Sequence, residues 1–150
     1  MIRAFRADEK ALFVSLADEF YHSSAVLHSI PTAHHARTFD ALMAGSPYIA
    51  AWLIELDGQS AGYALLGLTW SNEAGGLTVW LDELYVRPAF QGQGLGSALL
   101  RALHAQYPDA ARFRLEIEPD NEGAARLYAR LGYVALPYAQ MCRDAADAQA

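Results

Sequence analysis

The sequence predicts a mixed α/β domain, an α+β arrangement in which a central, mostly antiparallel sheet carries helices on both faces and ends in a parallel β-α-β unit. Three observations predict it. Residues 49–56, 61–70 and 77–86 are apolar runs rich in β-branched and aromatic side chains, with few charges. Asp57-Gly58 separates the first two as a two-residue hairpin turn. Gly92, Gly94 and Gly96 then separate the third run from a segment with helical spacing.

Taken in order, residues 2–6 alternate loosely and suggest a first or edge strand. Asp8 is the expected N-cap of a helix marked by Leu12, Phe13, Leu16, Ala17 and Phe20, ending near Tyr21-His22. Residues 23–31 form a loop. Thr32 is expected to cap a second helix through Phe39, Leu42 and Met43, stopped by Gly45-Ser46-Pro47. The three apolar runs follow as an antiparallel meander, with a second turn at residues 71–76. Leu95, Leu99, Ala102, Leu103 and Gln106 mark the crossover helix, which leads to a parallel strand at residues 113–118 with a right-handed connection. A short helix begins at Pro119-Asp120-Asn121, buries Ala124, Leu127, Tyr128 and Leu131, and meets a glycine cap at Gly132. Residues 133–141 have the composition of one or two terminal strands broken by Pro137, with Cys142 as a small buried side chain. Residues 1–142 are thus one domain with a sizeable core, and 143–150 a short frayed tail.

With 53% hydrophobic and 19% charged residues, the 150-residue chain is globular. No apolar run is long enough for a membrane span, and the N-terminus lacks the apolar core of a signal peptide. A single cysteine allows no intrachain disulfide. The expected location is cytoplasmic. A formal net charge of -6 argues against nucleic acid and suits a cationic ligand.

Gly92, Gly94 and Gly96 allow positive φ and close approach to the backbone, and the first turn of the following helix offers unpaired N–H groups and a positive dipole end. Together these make a phosphate cradle. The spacing is not that of a dinucleotide fingerprint, because Ser97 or Leu99 stands where the third glycine belongs, and no Lys-Ser/Thr pair makes a P-loop. Gln91, Gly94 and Gly96 do satisfy Q/R-x-x-G-x-G/A, and Asn121 to Tyr133 satisfies N-x-x-A-x-x-L-Y-x-x-x-G-F/Y at every fixed position. Both motifs resemble those of the GNAT N-acetyltransferase superfamily, and the element order is that of the GNAT acyl-CoA N-acyltransferase fold from about Ile2 to Cys142.

The resemblance implies acetyl-CoA as co-substrate, its pyrophosphate held by Gln91, Gly92, Gln93, Gly94, Leu95, Gly96 and Ser97. Asn121 and Ala124 would help hold it. Leu81 to Pro88 resembles the family's fourth strand, L-x-[D/E]-L-x-V-x-P. There a bulge opens a gap beside the strand, and main-chain groups of Leu84, Tyr85 and Val86 would receive the pantetheine arm. Tyr128 would lie near the acetyl sulfur and protonate the departing thiolate, a task for which a neutral phenol is suited. Tyr21, His22 and Trp70 would line the acceptor pocket. Relatives are often dimers, so a homodimer is a further implication.

Asp82 and Glu83 lie at the end of an apolar strand, where carboxylates need partners. Neighbours in a regular strand face opposite ways, so only one is expected to face a substrate unless a bulge rearranges them. Either could be a general base. The need is large: an alkyl ammonium of pKa ~10.4 is neutral only about one part in a thousand near pH 7.4, a deficit of roughly 4 kcal/mol. In polyamine-type relatives the acid falls at the position of Asp82; the residues themselves leave the choice open. His22, His28, His34 and His35 do not share a helical face and have no accompanying metal motif, so no metal is expected. The expected activity is transfer of an acetyl group to a primary amine by direct attack, the acceptor a small cationic amine. A protein or peptide acceptor, or a non-catalytic acyl-CoA-binding module, are the alternatives.

Overall fold

A computed structural model describes residues 1–145. The sheet has five strands in the order β1 (Ile2–Ala4), β2 (Ile49–Leu56), β3 (Gln59–Ser71), β4 (Gly76–Val86) and β5 (Arg112–Leu115). The first three pairings are antiparallel and the last, β4 with β5, is parallel. Asp57 and Gly58 both have positive φ, 51° and 76°, which is the backbone a tight two-residue hairpin requires.

Two helices cover one face, α1 (Lys10–Tyr21) and α2 (Thr32–Met43), and two the other, α3 (Leu95–Gln106) and α4 (Glu122–Arg130). The sheet's alternation divides the core between them. Leu53, Tyr63 and Leu65 pack with Phe13, Leu16, Phe20 and Phe39 on the α1–α2 face. Ile54, Leu66, Val79 and Leu81 pack with Leu99, Leu100, Leu103 and Tyr128 on the α3–α4 face. Phe13 meets Phe5 edge-on at 5.3 Å and Tyr63 at 5.7 Å, so aromatic rings lock α1 to the sheet.

Several expectations at element ends are corrected. Residues 7–9 form a single 3₁₀ turn before α1, so Asp8 is not its N-cap; Glu9 precedes the helix and binds Arg3 and Arg6 instead. Thr32 is the first residue of α2, preceded by Pro31, and makes no capping bond. The fifth strand stops at Leu115. No strand forms in residues 133–141: Pro137 lacks an N–H, no ladder partner is present among the described residues, and Tyr138 reaches back to donate to Glu73 at 3.0 Å. Cys142 is exposed. The tail expected at 143–150 falls partly outside the described residues. Gly132 does close α4, with φ 87° and the Tyr133 N–H bonded to the Tyr128 carbonyl. Among the described residues no helix is long and apolar enough to cross a membrane.

Candidate active site

β4 continues to Val86, but its parallel pairing ends where Leu81 meets Leu115. Beyond that point β4 and residues 116–118 diverge, and a cavity of ≈ 910 Å³ opens between them. Phe20, Tyr21, Ala25, Val26, His28 and Ile30 line its α1 side. Gln91, Gly92, Gly94 to Ser97, Asn121, Ala124, Leu127 and Tyr128 line its other side. The gap therefore joins the two faces of the sheet.

The glycine loop has the backbone of an anion cradle. Gly92 and Gly94 have φ 75° and 77°, and a Cβ at either would meet nothing within 4 Å. Gly94 is the N-cap of α3, so the N–H groups of Leu95, Gly96 and Ser97 start the helix without intrahelical partners. Gly96 serves packing: a Cβ there would fall 3.2 Å from Leu127 Cδ2, so its absence lets α3 approach α4. Gln91 donates from Nε2 to the Val86 carbonyl at 2.9 Å and ties the loop to the end of β4. Asn121 Oδ1 accepts from the Ala124 N–H at 3.1 Å, capping α4, which leaves its amide NH₂ for the cavity. Unpaired N–H groups, a helix start and open space suit a pyrophosphate.

Tyr128 is 9% exposed and lines the cavity. Among the described residues its hydroxyl has no hydrogen-bond partner, and burial pushes its pKa up to about 12. It is a neutral phenol with a proton to give.

The strand bulge decides where the carboxylates face. Leu65 pairs with Glu83 but Leu66 pairs with Leu81, so Asp82 is the extra residue. Both carboxylates then face the α1 side of the sheet. Asp82 Oδ2 lies over Gly67, where a Cβ would come within 3.1 Å. Asp82 lines the cavity and has no hydrogen-bond partner among the described residues. Loss of solvent around it and the nearby Glu116 raise its pKa. Glu83 is buried and does not line the cavity; it accepts from Tyr21 Oη at 2.7 Å and from Tyr63 Oη. Burial raises its pKa, the two phenol bonds oppose this, and Asp82 adds to the rise.

Of the residues expected at the site, Tyr21, Asp82, Leu84, Val86, Gln91, Gly92, Gly94, Leu95, Gly96, Ser97, Asn121, Ala124 and Tyr128 line the cavity. Tyr85, expected to act through its main chain, is not in the lining, and its ring packs on Phe20 at 6.2 Å. Gln93 belongs to the loop but not to the lining. Trp70 is a correction: it is 74% exposed at the far end of β3, opposite Leu77, because the strand runs on well past the bulge. His22 is corrected likewise, an exposed helix end whose Nδ1 lies 2.8 Å from the Asp18 carbonyl. Ala25, Val26, Leu27, Ile30, Glu116 and Arg130 line the cavity without having been singled out, and His28, considered only for a metal, lines it too. Tyr63, which supports Glu83, was not singled out either, and His35, which packs on Tyr21, was considered only as one of four histidines without a metal motif. His35 is buried with its ring 5.4 Å from that of Tyr21. No cluster of three or more metal-ligating side chains occurs among the described residues.

Residues 11–133 match the family described as the acetyltransferase (GNAT) family. The spermine/spermidine N(1)-acetyltransferase of Bacillus subtilis strain 168 is 35% identical over 82 residues, 51% of this chain and 54% of that protein. The chain thus spans about half the length of such curated relatives. An integron cassette protein from the mobile metagenome of Cole Harbour salt marsh superposes with a TM-score of 0.81 at 26% identity, covering 99% of this chain and 92% of the other. Aminoglycoside acetyltransferase AAC(6')-Iy, bound to the bisubstrate analogue CoA-S-monomethyl-acetylneamine, gives a TM-score of 0.79 at 16% identity, covering 97% of each.

Proposed function

The chain belongs to the GNAT acetyltransferase family, and from that premise we propose that it is an acetyl-CoA-dependent N-acetyltransferase whose acceptor is a small cationic amine. The observation that carries the reading is the cavity through the β4–β5 gap. It joins a phosphate cradle on one face of the sheet to the Asp82 carboxylate on the other.

Acetyl-CoA would lie with its pyrophosphate over Gly92 to Ser97 and its arm along Leu84 and Val86, and it supplies the thioester. The residues of the chain do the rest. Asp82, without a partner of its own, receives the ammonium of the acceptor by a charge-assisted hydrogen bond. That contact also raises the amine's pKa, so the Asp82–Glu83 pair must provide a way for the proton to leave. Tyr128 gives its proton to the departing thiolate sulfur and regains one from the nitrogen, which sheds its second proton as the amide forms. Holding both reactants across one gap supplies the proximity that direct attack needs. The acidic acceptor side and the polyamine and aminoglycoside acceptors named for similar proteins both support a cationic amine.

A thiol-release assay with acetyl-CoA over polyamines, aminoglycosides, amino acids and basic peptides tests the reading. Turnover with one of the small amines is expected. Acetylation confined to peptides would move the acceptor to a protein, and acetyl-CoA binding with no thiol release would make the chain a binding module.

A further inference from the structure

We propose that Tyr21 and Glu83 form a proton relay that removes the proton of the acceptor ammonium. The relay rests on the acetyltransferase reading above and adds the route the proton takes.

Glu83 is 8% exposed and outside the cavity lining, so it does not meet an amine directly. Tyr21 does line the cavity, and its Oη donates to Glu83 Oε1 at 2.7 Å. A phenol has one hydrogen; with that hydrogen committed to Glu83, Tyr21 can show the cavity only lone pairs. It is an acceptor, which is what an ammonium requires. Its ring is held by Phe20, edge-on at 5.1 Å, and by His35 at 5.4 Å. Tyr63 donates to the second oxygen of Glu83 and fixes the carboxylate's plane.

One N–H bond of the ammonium breaks and its proton passes to Tyr21 Oη. In the same event the Tyr21 O–H bond breaks and that proton passes to Glu83 Oε1. The nitrogen lone pair is then free to attack the thioester carbonyl carbon. Tyr21 ends neutral and Glu83 ends as a carboxylic acid, which returns its proton to solvent along the reverse route once product leaves. No phenolate forms at any stage. This agrees with burial and the Glu83 charge, which push the Tyr21 phenol well above its ordinary range. The groups facing the pair are Asp82 on β4, Tyr63 on β3, with Tyr85 near Tyr63, and His35 on α2, with Asp18, His22 and His34 near it. Burial favours neutral His35, so the far side of Tyr21 adds no cation. The two adjacent carboxylates thereby divide the work: Asp82 holds the ammonium and Glu83 takes its proton.

The test is kcat/KM from about pH 6 to 10 with an amine the parent acetylates, for Glu83→Gln, Tyr21→Phe, the double variant and Tyr63→Phe. Each of the first two is expected to lose about 10²-fold at pH 7 and to converge on the parent near pH 10, where free amine supplies itself. The double variant is expected to be no worse than either single one, since both break one route. Tyr63→Phe leaves the Tyr21–Glu83 route in place but removes a hydrogen bond that holds the Glu83 pKa down, so its profile is expected to keep the pH dependence of the parent and move to higher pH. Should Glu83→Gln fail to fold, Tyr21→Phe on the cavity wall carries the test alone. A Tyr21→Phe profile that tracks the parent, or a loss constant across pH, overturns the relay and leaves the acetyltransferase reading standing. A parent that releases no thiol with any amine overturns both.

Discussion

Leu81 and Leu84 pack in the same apolar cluster on the α3–α4 face of the sheet, although an odd number of positions separates them. A regular strand would send them to opposite faces. The bulge at Asp82 shifts the alternation by one residue, so the pair between the two leucines faces the other way. One inserted residue thus brings two carboxylates to the α1 side. The bulge also lies where β4 parts from β5, so the cavity and its acidic wall share a cause.

Of the two β4 carboxylates Asp82 is the one that lines the cavity, and its variant should act on the acceptor alone. Asp82→Asn keeps the shape of the side chain and removes its charge. The expected result is a KM for the amine raised about tenfold, equivalent to roughly 1.4 kcal/mol, with KM for acetyl-CoA nearly unchanged. Steady-state kinetics with each substrate varied in turn checks it, and an acetyl-CoA KM that moves as far as the amine's argues for a general collapse of the site.

Gly94 separates two effects by the size of the substituent. Its φ of 77° makes any side chain strained, while the space beyond its Cβ is open. Gly94→Ala is expected to lose ~1 kcal/mol of stability and keep the fold. Gly94→Glu puts a carboxylate among the N–H groups that start α3, and acetyl-CoA binding is expected to vanish with the circular dichroism unchanged. Calorimetry showing Gly94→Glu binding acetyl-CoA like the parent would falsify the assignment of the loop.

Local chemistry made part of this legible in the sequence. Asp57-Gly58 needs only its own two residues to prescribe a hairpin, and Gly132 only its place after a helical run. The loop from Gln91 to Ser97 is contiguous, so its glycines could be read together. What remained hidden depends on partners far away in the chain. Glu83 meets Tyr21 and Tyr63, separated from it by 62 and 20 positions; Tyr21 was legible as pocket lining, but its bond to Glu83 was not, and nothing local to Tyr63 distinguishes it from core. Trp70 looks like the end of an element that converges on the site, yet β3 runs beyond the cavity. Residues 133–141 have strand composition, but a strand exists only when another accepts its hydrogen bonds.

Tyr128→Phe removes one oxygen from the cavity wall and leaves the ring packed against Tyr133, 5.8 Å away. Affinity for acetyl-CoA is expected to hold and kcat to fall by about 10²-fold. Unchanged kcat at saturating amine would return Tyr128 to a purely packing role.

Stability at low pH depends on a charge cluster far from the cavity. Arg3 donates to both Glu9 oxygens' side of the network and to Glu55: Nη1 and Nη2 reach Glu9 at 2.9 and 2.8 Å, and Nε and Nη2 reach Glu55 at 3.0 and 2.8 Å. The guanidinium therefore joins β1, the turn before α1, and the end of β2. Hydrogen bonding from Arg3 holds Glu9 at about 2, against burial that works the other way, with the Arg6 N–H helping. Glu55 is lowered for the same first reason. Both folded-state values lie below the unfolded ones, so the stabilisation is fully present above the unfolded carboxylate range, near pH 4.5. It is lost progressively as pH falls toward about 2. Arg3→Gln leaves two carboxylates beside each other without their cation, and it is expected to destabilise the fold by about 2 kcal/mol near pH 7. Because the variant has less of this stabilisation to lose, its deficit relative to the parent should shrink as the pH is lowered. Urea melts of both proteins between about pH 7 and 3 measure that difference; a deficit that stays constant across the range would show that Arg3 acts through packing rather than through these carboxylates.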